Sequence, residues 1–163
     1  HDQNEDVTER MTEFSRSYMD KLKDVSGFVV CAKSPSCGME RVRVYDENGN
    51  RGRKDGVGLF TSTLMEKFSW LPVEEDGRLH DPVLRENFVE RVFALHELNH
   101  LYKEKLSRRE LLAFHSRYKL QLLAHSQAGY KDMGPFVAAI HEWADLESYF
   151  EVYRDKLMAI LRT

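Results

Sequence analysis

Two short stretches hold the side chains with the most chemical reach. HELNH, residues 96–100, sets His96 and His100 one helical turn apart with Glu97 between them. In that arrangement paired imidazoles can bind zinc while the carboxylate acts as general base on a metal-bound water. CAKSPSCGM, residues 31–39, places Cys37 in a loop with Ser34, Pro35 and Gly38, directly behind an apolar run. Pro35 and Gly38 shape a turn that can present a thiolate and nearby backbone N–H groups to an anionic group. A third set is basic. Arg108, His115 and Lys119 recur at i, i+7 and i+11, which puts the latter two within about 20° on either side of Arg108 on a helical period. Arg117 lies in the same run, and Tyr130 and Lys131 follow the segment AHSQAG. Such a stripe can contact phosphates, with Tyr130 adding a stacking surface.

Each set has a plainer reading. The zinc site needs a third ligand, for which His115, His125, Glu142 and Glu147 are available. Helical phase puts His96 with Val89 and Val92 and His100 beside Phe93, on the face expected to pack, which favours packing histidines over ligands. Cys31 lies in the apolar run and reads as a small core residue. The basic helix can be a solvated surface. Its charge is nonetheless local: residues 103–131 carry seven Lys and Arg against two Glu, a balance of +5, whereas 132–163 carry three against six, a balance of −3. An anionic partner would bind the former.

The elements that must position these residues follow from spacing. Val7, Met11, Phe14, Tyr18 and Leu22 recur as one face of a helix over Glu5 to Lys23. GFVVCA reads as a buried strand, RVRVY as an alternating strand, and DENGNRGRKDGVG as an exposed loop. LFTSTLMEKF reads as a short helix and LPVEE as a short strand. From Val83 onward only helical periodicity remains, with Asp81 as N-cap and Pro82 at the first helical position. This helix is expected to end near Lys105, and a second to begin after Ser107, whose S-R-R-E forms a capping box with Glu110. It stops at HSQAG, and two more helices follow, over about 130–143 and 145–162. The expected class is an α/β layered N-terminal part followed by an all-α part. The divisions are a partial α/β domain over 1–82, a connecting helix over 83–106 and a partial helical domain, with an RNA-binding role, over 107–163.

The composition, 42% hydrophobic and 31% charged with a net charge of −3, is that of a globular protein. No apolar run reaches the roughly 18 residues of a membrane helix. Two cysteines do not staple a secreted scaffold, so a reducing, cytoplasmic setting is expected. The chain starts at a histidine and stops directly after an apolar helical run, and so reads as a piece of something longer.

GFVVCAKSPSCGMERVRVY, with LPVEEDGRLHDPVLRENFVERVF, resembles the C-terminal half of the thiouracil desulfidase family. FHSRYKLQLLAHSQAGYKDMG resembles the opening of the helical domain fused to that enzyme in two-domain RNA 4-thiouridine desulfidases. The resemblance implies a [4Fe–4S] cluster on three cysteines, with the fourth iron open to the sulfur of a thiolated base. Cys37 matches the ligand that this loop contributes, and Ser34 matches the loop serine beside the substrate. Cys31 matches no ligand. The family's other two cluster cysteines and its acidic catalytic residues belong to an N-terminal motif with no counterpart before Cys31. The intact protein is then expected to be an iron–sulfur desulfidase that replaces C=S by C=O in thiolated uracil, as base, nucleoside or part of tRNA. Neither cluster nor activity is expected of this chain by itself. Two other classes stand beside this one: a zinc hydrolase built on His96, Glu97 and His100, and a helical RNA-binding or interaction module without chemistry.

Overall fold

The computed structural model describes residues 6–45 and 51–162, which divide into two compact units, His1–Glu86 and Asn87–Thr163. The first unit opens with α1 (Thr8–Tyr18), started by Asp6 Oδ1 accepting from Thr8 N at 2.9 Å and ended by a 3₁₀ turn, Met19–Lys21. Its packed face is rotated from the expected one: Ser15, Met19 and Leu22 are buried, whereas Val7 and Phe14 are exposed. Ser15 can sit in the core because its hydroxyl is spent on Met11 O at 2.6 Å. Phe14 covers the rim by stacking on Tyr18.

Among the described residues the strands form two pairs. β1 (Phe28–Val30) and β4 (Val73–Glu75) are parallel, Phe28 opposite Val73 and Val30 opposite Glu75. Helix α2 (Leu59–Lys67) lies between them in the chain and packs against α1 through a core that includes Met19, Leu64, Phe68 and Leu71. β2 (Val42–Tyr45) pairs antiparallel with β3 (Arg51–Gly56). The expectation of a loop over 46–58 is therefore corrected over 51–56; residues 46–50 lie outside the described residues. Strand pairing uses backbone groups, so RGRKDG can form an exposed edge strand without an apolar residue, anchored by buried Val42 opposite Gly56.

α3 runs over Pro82–Lys105, capped as expected: Asp81 Oδ1 accepts from Val83 N at 2.8 Å and Leu84 N at 3.3 Å. In the second unit it is followed by α4 (Arg108–His125), α5 (Gln127–Ala138, with Pro135 inside it), a 3₁₀ turn (Ala139–Glu142) and α6 (Leu146–Leu161). Ser107 Oγ caps Glu110 N at 3.2 Å. HSQAG is not a loop, because Ser126 ends α4 and its hydroxyl caps α5 at Gly129 N, 3.1 Å. α3 and α4 are joined by two carboxylates. Glu97 accepts from Arg117 and, at 3.0 Å, from Tyr118 OH; Glu90 accepts from Gln121 and lies 3.1 Å from His125 Nε2. Burial and the Glu97 bond push the Tyr118 hydroxyl up to about 12. The core holds linked rings, Phe114 on Tyr118 (4.4 Å), Phe114 on Tyr153 (6.2 Å), Tyr153 on Tyr149 (6.2 Å) and Tyr149 on Phe136 (4.6 Å).

Two expectations about helical faces change here. The α3 face carrying Val89, Phe93, His96 and His100 is exposed, with Phe93 67% accessible, while Ala94, Leu95, Leu98 and Leu101 pack. Within HELNH, Leu98 is buried and Glu97 reaches α4 through Arg117 and Tyr118. The stripe of Arg108, His115 and Lys119 is not one free surface either. Arg108 donates to Trp143 O (2.7 Å) and Ile140 O (3.3 Å), tying the 3₁₀ turn to the start of α4. His115 is 5% accessible, its Nδ1 3.2 Å from Tyr153 OH.

Arg108→Ala should therefore cost about 2 kcal/mol in chemical denaturation, since two carbonyls lose a charged donor. Gly129→Ala should lower the melting temperature despite the better helix former. A Cβ there would lie 2.7 Å from Ile160 Cγ1, and such overpacking costs about 1–3 kcal/mol. His115 gives a pH dependence. Burial, then Lys119, hold its pKa below 6.5 in the fold, so below that pH the unfolded chain binds the extra proton and stability falls with acidification. His115→Gln should flatten the decline in melting temperature as pH is lowered from about 7 to 5, where one such group contributes up to about 1.4 kcal/mol per pH unit.

Candidate functional site

The loop between β1 and β2 is held from two sides. On one side α2 takes up its carbonyls in turn: Leu59 N donates to Pro35 O (3.1 Å), Phe60 N to Ser36 O (2.9 Å), Thr61 Oγ1 to Cys37 O (2.6 Å) and Gly58 N to Gly38 O (2.8 Å). Gly58 makes this approach possible, since a Cβ there would lie 2.5 Å from both Cys37 N and Ser36 O. Within the loop Ser34 Oγ accepts from Ser36 N (3.3 Å) and Cys37 N (3.2 Å), and Ser34 O accepts from Gly38 N (2.8 Å). Ser34 is thus a cap for the turn that displays Cys37, and its hydroxyl proton stays available to a further acceptor.

The other side is carboxylate. β4 ends in Glu74 and Glu75, with Asp76 next in the chain, and parallel pairing brings that end beside the end of β1. Glu75, buried, accepts from Met39 N (3.0 Å) and Glu40 N (3.3 Å), fixing the chain just after Gly38. Asp76 accepts from Ala32 N (3.0 Å) and Gly77 N (2.7 Å), fixing the chain just before the loop; these bonds hold its carboxyl below the ordinary range. Glu74 bonds Arg78 (2.7 Å), which also bonds Glu40 (2.9 Å). Sequence reading took LPVEE only as a strand. The available signal was three consecutive acids where a buried strand ends, a place where unpaired loop N–H groups need acceptors.

At either end of the loop stands a non-glycine residue in left-handed backbone, Lys33 (φ 63°) and Arg41 (φ 55°). Such residues cost about 1–2 kcal/mol each and persist where surrounding bonds impose them. Beside the loop is a cleft of about 550 Å³ lined by Lys33, Arg41, Arg43 and Lys54, with Glu40 and Glu75 among its walls. It sits by the carboxyl ends of a parallel strand pair, where α/β proteins commonly bind ligands.

Cys37 is half-buried on this framework. Cys31 is exposed, which corrects its assignment to the core: β1 ends at Val30, Val29 is itself 49% accessible, and Cys31 stands beyond the sheet. Among the described residues no three of His, Cys, Asp and Glu are gathered as a metal's ligands. A three-thiolate cluster set does not fit this chain, which has two cysteines, one of them the loop residue. Of the basic candidates, Arg108 and Arg117 are taken up within the helical unit, while His115, Lys119, Tyr130 and Lys131 line one groove between α4 and α5.

Sequence comparison accords with this division. Residues 119–163 match the model of a family described as a protein of unknown function, DUF1722. The uncharacterized protein YbgA of Escherichia coli (strain K12) is 52% identical over 71 residues, 44% of this chain and 42% of the relative, so the match spans less than half of either. No solved structure matches. Residues 1–76 match the model of the 2-thiouracil desulfurases, so the unit that carries the Ser34–Cys37 loop is similar to that family over nearly its whole length.

Proposed function

We propose that this chain is part of a desulfidase that removes sulfur from thiolated uracil, with the SPSCG loop as one wall of the active site. The observation that carries the reading is the fixing of this loop: each carbonyl from Pro35 to Gly38 has a donor from the start of α2, while the Cys37 thiol is left half-exposed. The reaction is a hydrolysis. A water oxygen forms a bond to the ring carbon, the C–S bond breaks, sulfur leaves as hydrogen sulfide, and no net oxidation occurs. The role assigned to Cys37 is one ligand of a [4Fe–4S] cluster whose other thiolates come from outside this chain. Ser34 positions Cys37 through the two N–H groups it caps. The cations of the adjacent cleft favour a substrate that carries an anionic group over the bare base.

The helical unit is assigned the role of holding RNA, supported by the +5 balance of residues 103–131. Of the basic residues named on it, Lys119 and Lys131 remain for that role. No helix among the described residues is long and apolar enough to cross a membrane, and two free thiols suit a reducing cytoplasm.

The test uses the loop in a protein that supplies the remaining thiolates, reconstituted without oxygen. Cys37→Ala should abolish the cluster's visible absorption and sulfide release from thiouracil. Cys31→Ala should leave both unchanged. Ser34→Ala should keep the fold and lower turnover about 10–100-fold, as losing a group that orients a ligand does. Bleaching by Cys31→Ala, with Cys37→Ala unaffected, would refute the assignment.

A further inference from the structure

The groove between α4 and α5 has about 520 Å³ of space, within the range of about 300–1,000 Å³ that small-molecule sites occupy. One wall is apolar, with Leu112, Val137 and Ile140. Lys119 and Lys131 both line it, and neither pairs with a carboxylate among the described residues. No Asp or Glu belongs to the lining, in a chain with more acidic than basic residues overall. Two ammonium groups beside an apolar wall, without a counter-charge, are complementary to a ligand that is flat and apolar at one end and anionic at the other. Tyr130 adds an aromatic surface, and His115 and Ser116 add hydrogen-bonding groups of the kind that meet a base edge. His115 enters as a neutral ring, because burial opposes its charging.

We infer that this groove holds one nucleoside monophosphate unit, its base against the apolar wall and Tyr130 and its phosphate at Lys119 and Lys131. The inference rests on the reading that the helical unit holds RNA, and it changes how: a single nucleotide is seated in a pocket, instead of a row of phosphates lying along a helix. The unit is either part of an RNA chain or a free nucleotide, and the two sources share this chemistry.

The experiment is fluorescence anisotropy of the full chain with labelled oligouridylate, with competition by UMP, uridine and inorganic phosphate. UMP should displace the oligonucleotide, and uridine and phosphate should each do so at least tenfold less well. Lys119→Ala with Lys131→Ala should weaken oligonucleotide binding at least tenfold at low salt. It should also flatten the salt dependence by about 1.4 units of slope, the value for two single-strand contacts. Ser116 is exposed on α4; Ser116→Trp should fill the groove and abolish UMP binding with far-UV circular dichroism and melting temperature unchanged. Unaltered UMP binding by Ser116→Trp, or an oligonucleotide that binds but is not displaced by UMP, would overturn the inference. If the wild-type chain bound UMP but neither oligonucleotide nor tRNA, the groove would stand as a free-nucleotide site and the RNA-holding role would fall.

Discussion

The seating of residues 35–38 on the first turn of α2 is the constraint on which the N-terminal unit depends. A helix start has N–H groups without helical partners, and a tight loop has carbonyls without strand partners. Here the two deficits cancel, with Leu59 and Phe60 donating to Pro35 and Ser36. The pairing explains why Gly58 lacks a side chain and why α2 needs no side-chain cap. It also explains how Lys33 and Arg41 stay in left-handed backbone, since the loop between them has no freedom to relax. β1 and β4 complete the arrangement by delivering Glu75 and Asp76 to the loop's remaining donors.

The helical unit rests on a different balance. Its ring core is closed by buried polar contacts, of which His115 with Tyr153 is the deepest. The same α4 helix supplies core (Leu111, Phe114, Leu122), bridges to α3 (Arg117, Tyr118, Gln121, His125) and the groove (Leu112, Ser116, Lys119). Three duties on one helix leave little solvated face. This is why a count of basic residues along α4 overstates the charge free to meet a partner.

What could be read from sequence was local. Asp81, Pro82 and Ser107 mark helix starts through bonds to residues two or three positions on, so α3 and α4 begin where spacing places them. The SPSCG turn was likewise legible, because the bonds from Ser34 that shape it reach only Ser36, Cys37 and Gly38, although the seating of its carbonyls on α2 was not. What failed depended on distant partners. β3 is a strand only because β2 lies beside it. The packed side of α3 carries Ala94, Leu95, Leu98 and Leu101 and bridges to α4 through Glu90 and Glu97, which leaves Phe93, His96 and His100 outward. Cys31 is exposed because β1 stops at Val30, two residues before its apolar run ends, and Arg108 is absorbed by carbonyls 32 and 35 residues away.

Pro135 carries a consequence of its own. A proline within a helix has no N–H to offer the carbonyl four residues earlier, and in α5 that carbonyl belongs to Lys131. Lys131, whose side chain lines the groove, is thus also the residue whose carbonyl the Pro135 nitrogen cannot serve as donor. α5 thus forms one side of the groove while lacking one N–H donor of a regular helix, one turn along from the residue that brings its ammonium group there.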